Sequence, residues 1–193
     1  MVALAANRLA RRSVFSYCFA LLTAVMFLPS MIGAQAPVSS EKLVPAISYK
    51  ISKFVHWPET TRPKADAGNF YIGVASSDAV YKSFLAELDG KPIRGKIVRV
   101  IHLEGALSPD DLRRFQLIFT DSATVLKEIG GGRIRGDMLI ISTVSGSASS
   151  GDAGVEIVAN EKSLAFEVAL KQLKAARLRA ESSVLSLARK VHR

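Results

Sequence analysis

Beyond residue 34 the sequence has no cysteine; the only one in the chain, Cys18, lies near the N-terminus. That absence excludes a disulfide within residues 35–193, a thiol nucleophile there, and a thiolate metal ligand. Histidine is nearly as scarce. His56, His102 and His192 stand far apart without metal-ligand spacing, and a zinc site needs several convergent ligands. The serine-dense stretch from Ser142 to Ser150 lacks the Gly-x-Ser-x-Gly elbow of a hydrolase nucleophile. The glycine-rich run Gly130-Gly131-Gly132-Arg133-Ile134-Arg135-Gly136 has no Lys-Ser or Lys-Thr pair, and it is expected to join a helix to a strand. A phosphate loop does the reverse. No catalytic residue, metal or cofactor is therefore expected.

Acidic residues are missing before Glu41, whereas Arg8, Arg11 and Arg12 precede an apolar stretch from Val14 to Leu28 that ends at Pro29. Small residues follow, in Ser30-Met31-Ile32-Gly33-Ala34-Gln35-Ala36. This charged, apolar, small order is that of a secretory signal. The apolar run is shorter than the roughly 20 residues of a membrane span and is interrupted by Ser16 and Thr23, so cleavage is expected rather than anchoring. Cutting after Ala36 would leave Pro37 first, a residue without the ordinary N–H; cutting after Ala34 avoids that. The expectation is thus a cleaved signal at 1–34, export to the periplasm, and a single domain over 35–193, long enough to bury a core.

The formal net charge of +9 falls by three when the signal arginines are removed. A basic chain invites a nucleic-acid reading. The Lys and Arg residues are dispersed, however, without interleaved aromatics, and export separates the chain from nucleic acid. A solvated basic surface with a local patch is the plainer expectation.

Apolar residues Leu43, Ala46, Ile47, Ile51, Phe54 and Val55 recur at helical spacing after Ser40, and Pro58 ends that pattern. Pro45 is expected within its first turn, where a missing N–H is tolerated. Strands are expected at Phe70–Ala75, Ile97–Leu103, Leu117–Phe119 and Met138–Ile141. Helices are expected between them, opened by Ser77-Asp78, Ser108-Pro109-Asp110 and Asp121-Ser122. Short apolar strands alternating with helices imply an α/β fold, with a mainly parallel central sheet flanked by helices on both faces. Val155–Ala159 and Leu164–Ala169 flank the turn-like Asn160-Glu161-Lys162, which implies an antiparallel edge hairpin.

Several segments together resemble the YfiR family of periplasmic regulators. Tyr49 to Pro58 is similar to the family's opening helix and its Phe-x-x-Trp-Pro ending, and Leu88 to Gly95 to its Leu-x-Gly-Lys-x-Ile-x-Gly segment. Gln116 to Thr120 and Met138 to Ser142 resemble its apolar strands, Ala165-Phe166-Glu167-Val168 its Arg-Phe-Glu-Ile strand, and Ser182 to Arg189 its closing helix. The chain departs from the pattern at three places. Phe115-Gln116 stands where a cysteine is frequent, Ser147 to Gly154 blurs a Phe-x-x-x-Gly-Gly turn, and Arg177 replaces a glycine before the last extended segment.

The resemblance implies a regulator that binds the periplasmic domain of a membrane-anchored diguanylate cyclase and represses it, lowering cyclic-di-GMP. It adds two further candidate partners, an outer-membrane lipoprotein and a second copy of the chain as a homodimer. Two other classes compete: a periplasmic small-molecule-binding or sensor module using a crevice at the strand ends, and, further behind, an exported hydrolase. Composition alone would allow one long helix from Ala169 to Arg189. The resemblance implies instead a break at residues 177–181 before Ser182 caps a final helix. In that case Arg177, Arg179 and Glu181 share one face, with Leu178 and Ala180 inward. Those three, with His56 and Trp57, are the candidate partner-binding residues.

Overall fold

The apolar spacing after Ser40 produces the first helix, α1 (Ser40–Lys53). The computed structural model describes residues 40–58, 68–105, 108–130, 137–160 and 163–193, all within one compact unit, Val38–Arg193. The expected signal lies outside the described residues, as do residues 131–136 of the glycine-rich run. Helix α1 stops two residues short of the apolar pattern, because Val55 and His56 are drawn into a short strand, β1 (Val55–His56). Pro45 sits inside the helix, past the first turn rather than within it, because the helix already begins at Ser40.

The expected alternation follows: β2 (Asn69–Ala75), α2 (Asp78–Leu88), β3 (Pro92–Ile93), β4 (Lys96–His102), α3 (Pro109–Leu112), β5 (Leu117–Thr120), α4 (Ala123–Gly130) and β6 (Leu139–Ser142). Ser77 and Ser108 cap α2 and α3 through their hydroxyls, satisfying N–H groups that a helix start leaves open. The chain continues through α5 (Ser147–Ser150), β7 (Val155–Asn160), β8 (Ser163–Ala169), α6 (Leu170–Ala175), β9 (Arg179–Ala180), α7 (Ser182–Leu187) and β10 (Lys190–His192).

The main sheet has the order β10-β8-β7-β6-β5-β2-β4-β3. Its centre is parallel throughout, with β2 between β4 and β5 and then β6 and β7. Pairs β3–β4 and β7–β8 are antiparallel. The β7–β8 hairpin has the expected antiparallel register, Val155 facing Val168 and Asn160 facing Ser163. The three-residue β10 lies outside it, parallel to β8.

Alternation along each strand splits the core into two layers. Leu117, Phe119, Leu139 and Ile141 join Phe70, Ile72 and Val74 on one face, against Ile51 of α1, Phe84 and Leu88 of α2, and Leu173 of α6. Ile118 and Ile140 face the other way, against Leu112 of α3 and Leu126 and Ile129 of α4. Gly73 of β2 falls on this second face, where a Cβ would meet the Leu103 side chain at 2.6 Å. Among the described residues, no helix is long and apolar enough to cross a membrane.

Candidate partner-binding corner

At the end of α1, the Tyr49 hydroxyl donates to the Pro92 carbonyl at 2.8 Å, tying the helix to the β3–β4 hairpin. Lys53 and Lys91 place their ammonium groups 4.8 and 5.7 Å from the centre of the Tyr49 ring, a cation–π geometry on one aromatic. The hairpin turns through two residues, Arg94 and Gly95, both at positive φ (49° and 75°). That is the twist a two-residue hairpin requires. It aims the Arg94 guanidinium back at α1 and β1.

Arg94 donates to the Lys53 carbonyl at 3.3 Å, to His56 Nδ1 at 3.3 Å and to Glu181 Oε1 at 3.3 Å. A guanidinium can only donate, so Nδ1 of His56 accepts and the ring proton sits on Nε2. From there it is donated to Glu181 Oε1 at 3.0 Å. The β1–β9 ribbon brings these groups together. Val55 pairs with Ala180 and His56 with Arg179, antiparallel, and the Glu181 N–H donates to the Phe54 carbonyl at 2.9 Å. Period two puts Arg179 and Glu181 on one side of the strand, with His56 across from them. His56, Arg94 and Glu181 are 44%, 37% and 37% exposed; Arg179 and Lys53 are exposed, and so is Phe54.

Of the sequence-derived candidates, the structure therefore gathers His56, Arg179 and Glu181. Trp57 is next to them but packed inward: its ring meets Phe70 edge-on at 5.2 Å and its Nε1 donates to the Gln116 carbonyl at 3.3 Å. Arg177 does not share the strip. It occupies the position after α6, at φ 56°, and pairs with Asp137 at 2.7 Å. Its N–H donates to Lys174 and that of Leu178 to Leu173, the paired bonds of a Schellman helix stop, in which glycine is the usual residue. The glycine replaced by Arg177 is thus a conformational position. The break in the last segment is present, with Leu178 buried. The extended part is shorter than 177–181, and Glu181 rather than Ser182 occupies the cap position of α7, with no side-chain cap bond.

Sequence reasoning missed Arg94. It stands 38 residues from His56 and 87 from Glu181, and no local pattern links such positions. The only signal was Arg94-Gly95 after a short apolar pair, a two-residue turn between strands.

A second carboxylate is held by the same two residue types. Glu167 of β8 accepts from Arg189, from its Nε at 3.1 Å and also from Nη2, and from His192 Nε2 at 2.6 Å. Its side chain is 9% exposed. The hydrogen bond from His192 first, and those from Arg189 next, hold its carboxyl below the ordinary glutamate value against the opposing effect of burial. Directly opposite on β7 lies buried Glu156, which accepts the Gly146 and Ala148 N–H groups at 3.0 Å each.

The direction of crossover reverses between β2 and β5, the place where open α/β sheets bind ligands. Here the polar groups are bonded to one another. Ser76 donates to Asp121 at 2.6 Å, Thr120 to the Ala75 carbonyl at 2.8 Å, and His102 Nε2 to the Ser76 carbonyl at 2.9 Å. Among the described residues, no group of three or more His, Asp or Glu side chains is placed to hold a metal ion. No curated protein matches the chain. A family model described as YfiR/HmsC-like matches residues 41–189, nearly everything after the N-terminal segment, and the chain belongs to that family of regulatory proteins.

Proposed function

We propose that this protein is exported to the periplasm, where it binds the outer-facing domain of a membrane-anchored diguanylate cyclase and holds it inactive, so that cytoplasmic cyclic-di-GMP stays low. Family membership over residues 41–189 is the observation that carries this reading. The β1–β9 corner supplies a place for the contact. It is exposed, its charges are held in fixed positions by Arg94, and it stands apart from the self-bonded strand ends. In this reading Arg179, Arg94, His56 and Glu181 face the cyclase, Trp57 supports them from beneath, and Arg177 serves the fold.

Deleting the gene is expected to raise cyclic-di-GMP and surface attachment, and the wild-type gene in trans to reverse both. Arg179→Glu is expected to fail in that complementation while the purified variant melts within a few degrees of the parent. No change in cyclic-di-GMP on deletion or overexpression would overturn the cyclase reading.

A further inference from the structure

Among the described residues, the corner has more cationic than anionic side chains. Lys53, Lys91, Arg94 and Arg179 approach it from the end of α1, the β3–β4 hairpin and β9, whereas the carboxylates paired there are Glu181 and Glu87. Glu181 is already engaged by both Arg94 and His56. Glu87 lies 3.7 Å from Lys91. Among the described residues, Arg179 and Lys53 have no carboxylate within ion-pair distance. The unmet demand at this surface is for negative charge.

Resting on the regulatory reading above, we infer that this corner docks an acidic protein segment, one whose Asp or Glu side chains reach Arg179 and the outer edge of Arg94. The geometry favours spaced carboxylates over a continuous anionic surface. Glu181 is a negative charge held in place by Arg94 and His56 and still 37% exposed, and a flat lipid headgroup layer would meet it directly. A chain with separated carboxylates passes either side of it, and Phe54, exposed beside the ribbon, offers an apolar contact to the residues between them. Arg94 is the organising residue: its positive φ and three hydrogen bonds fix where the remaining cationic edge points. Complementary charge of this kind sets register and encounter rate and weakens with salt.

Calorimetric titration of the purified protein with a synthetic Glu-rich peptide tests the inference. Lys-rich peptide and phosphatidylglycerol vesicles serve as the other two arms. Saturable binding of the Glu-rich peptide is expected, weakening as salt rises, with the dissociation constant raised about tenfold by Arg179→Glu and similarly by Arg94→Glu. Because Arg94→Glu also alters a turn, Arg179→Glu with an unchanged melting temperature is the deciding variant. Absence of binding to the Glu-rich peptide, equal binding by Arg179→Glu, or tighter binding to the vesicles would each overturn it, the last reassigning the patch to a lipid surface. No cyclase enters this titration. Failure here with cyclic-di-GMP still rising on deletion removes the acidic segment and leaves the regulator; binding here with cyclic-di-GMP unmoved does the opposite.

Discussion

Two glutamates in this molecule are each held by one arginine and one histidine, and they stand in opposite environments. Glu167 is clamped by Arg189 and His192 within the sheet, at 9% side-chain exposure. Glu181 is clamped by Arg94 and His56 on the surface, at 37%. The atoms are alike and the consequences are not. A buried carboxylate cannot return to water when its partners are removed, so breaking the clamp leaves an uncompensated charge. An exposed one exchanges its partners for water at little cost. The same device therefore serves the fold in one place and is free to serve recognition in the other.

The largest expected effect breaks the buried clamp. Arg189→Ala with His192→Ala leaves Glu167 charged, with Glu156 directly across the hairpin, and like charges facing each other across strands add to the cost. A loss of about 3–5 kcal/mol is expected by urea denaturation. Because both partners flank or belong to β10, hydrogen exchange at Val191 should accelerate more than at Ile118 in the central strand. A loss under about 1 kcal/mol would make Glu167 no different from a surface glutamate.

Next in size is the acid response. Bonding to His192 and Arg189 lowers the Glu167 pKa from the ordinary 4.5. A depressed folded-state value means that the unfolded chain takes up the proton first. The contribution to stability is complete above the unfolded value, declines as pH falls below it, and is gone once pH passes below the folded value. Glu167→Gln should thus flatten stability against pH in the region below about 4.5. Superimposable curves for Glu167→Gln and the parent would remove the distinction.

How much of this was legible beforehand divides along the same line. Apolar runs such as Leu117–Phe119 carry their own signal, and the sheet, the two core layers and the β7–β8 hairpin follow from them. Strands β3 and β10 have only two and three residues, too short for any period, and the helical pattern read in the last segment ends at Arg189, just before β10. Neither clamp is visible locally, since each joins residues distant in sequence and depends on the folded sheet. Arg177 is the instructive middle case. The glycine it replaces marked the position as special, but only φ shows that the demand is conformational, so it left the candidate surface.

That distinction gives a sharper, smaller test of what belongs to the fold. Both Arg177→Gly and Arg177→Ala lose the pair with Asp137, while only alanine retains a side chain in the left-handed region. Glycine should therefore be the more stable of the two by about 1 kcal/mol. Equal melting temperatures would mean that the helix stop tolerates a Cβ without strain.

The smallest expected effect on stability is at the exposed clamp, and its smallness is what the comparison requires. Glu181→Gln removes the charge that Arg94 and His56 share, but both are more than a third exposed and can be rehydrated. The β1–β9 backbone pairing and the Glu181 N–H bond to Phe54 remain. The change should cost less than about 1 kcal/mol, and a double-mutant cycle between positions 94 and 181 should give a coupling of a few tenths of a kcal/mol. The same cycle between 167 and 189 should give a coupling several times larger. Recognition should move the other way: neutralising Glu181 leaves the patch more basic, so binding of an acidic segment should strengthen while folding is almost unchanged. A large stability loss at Glu181 would place this clamp with the buried one, and the corner would then be part of the scaffold rather than a surface for a partner.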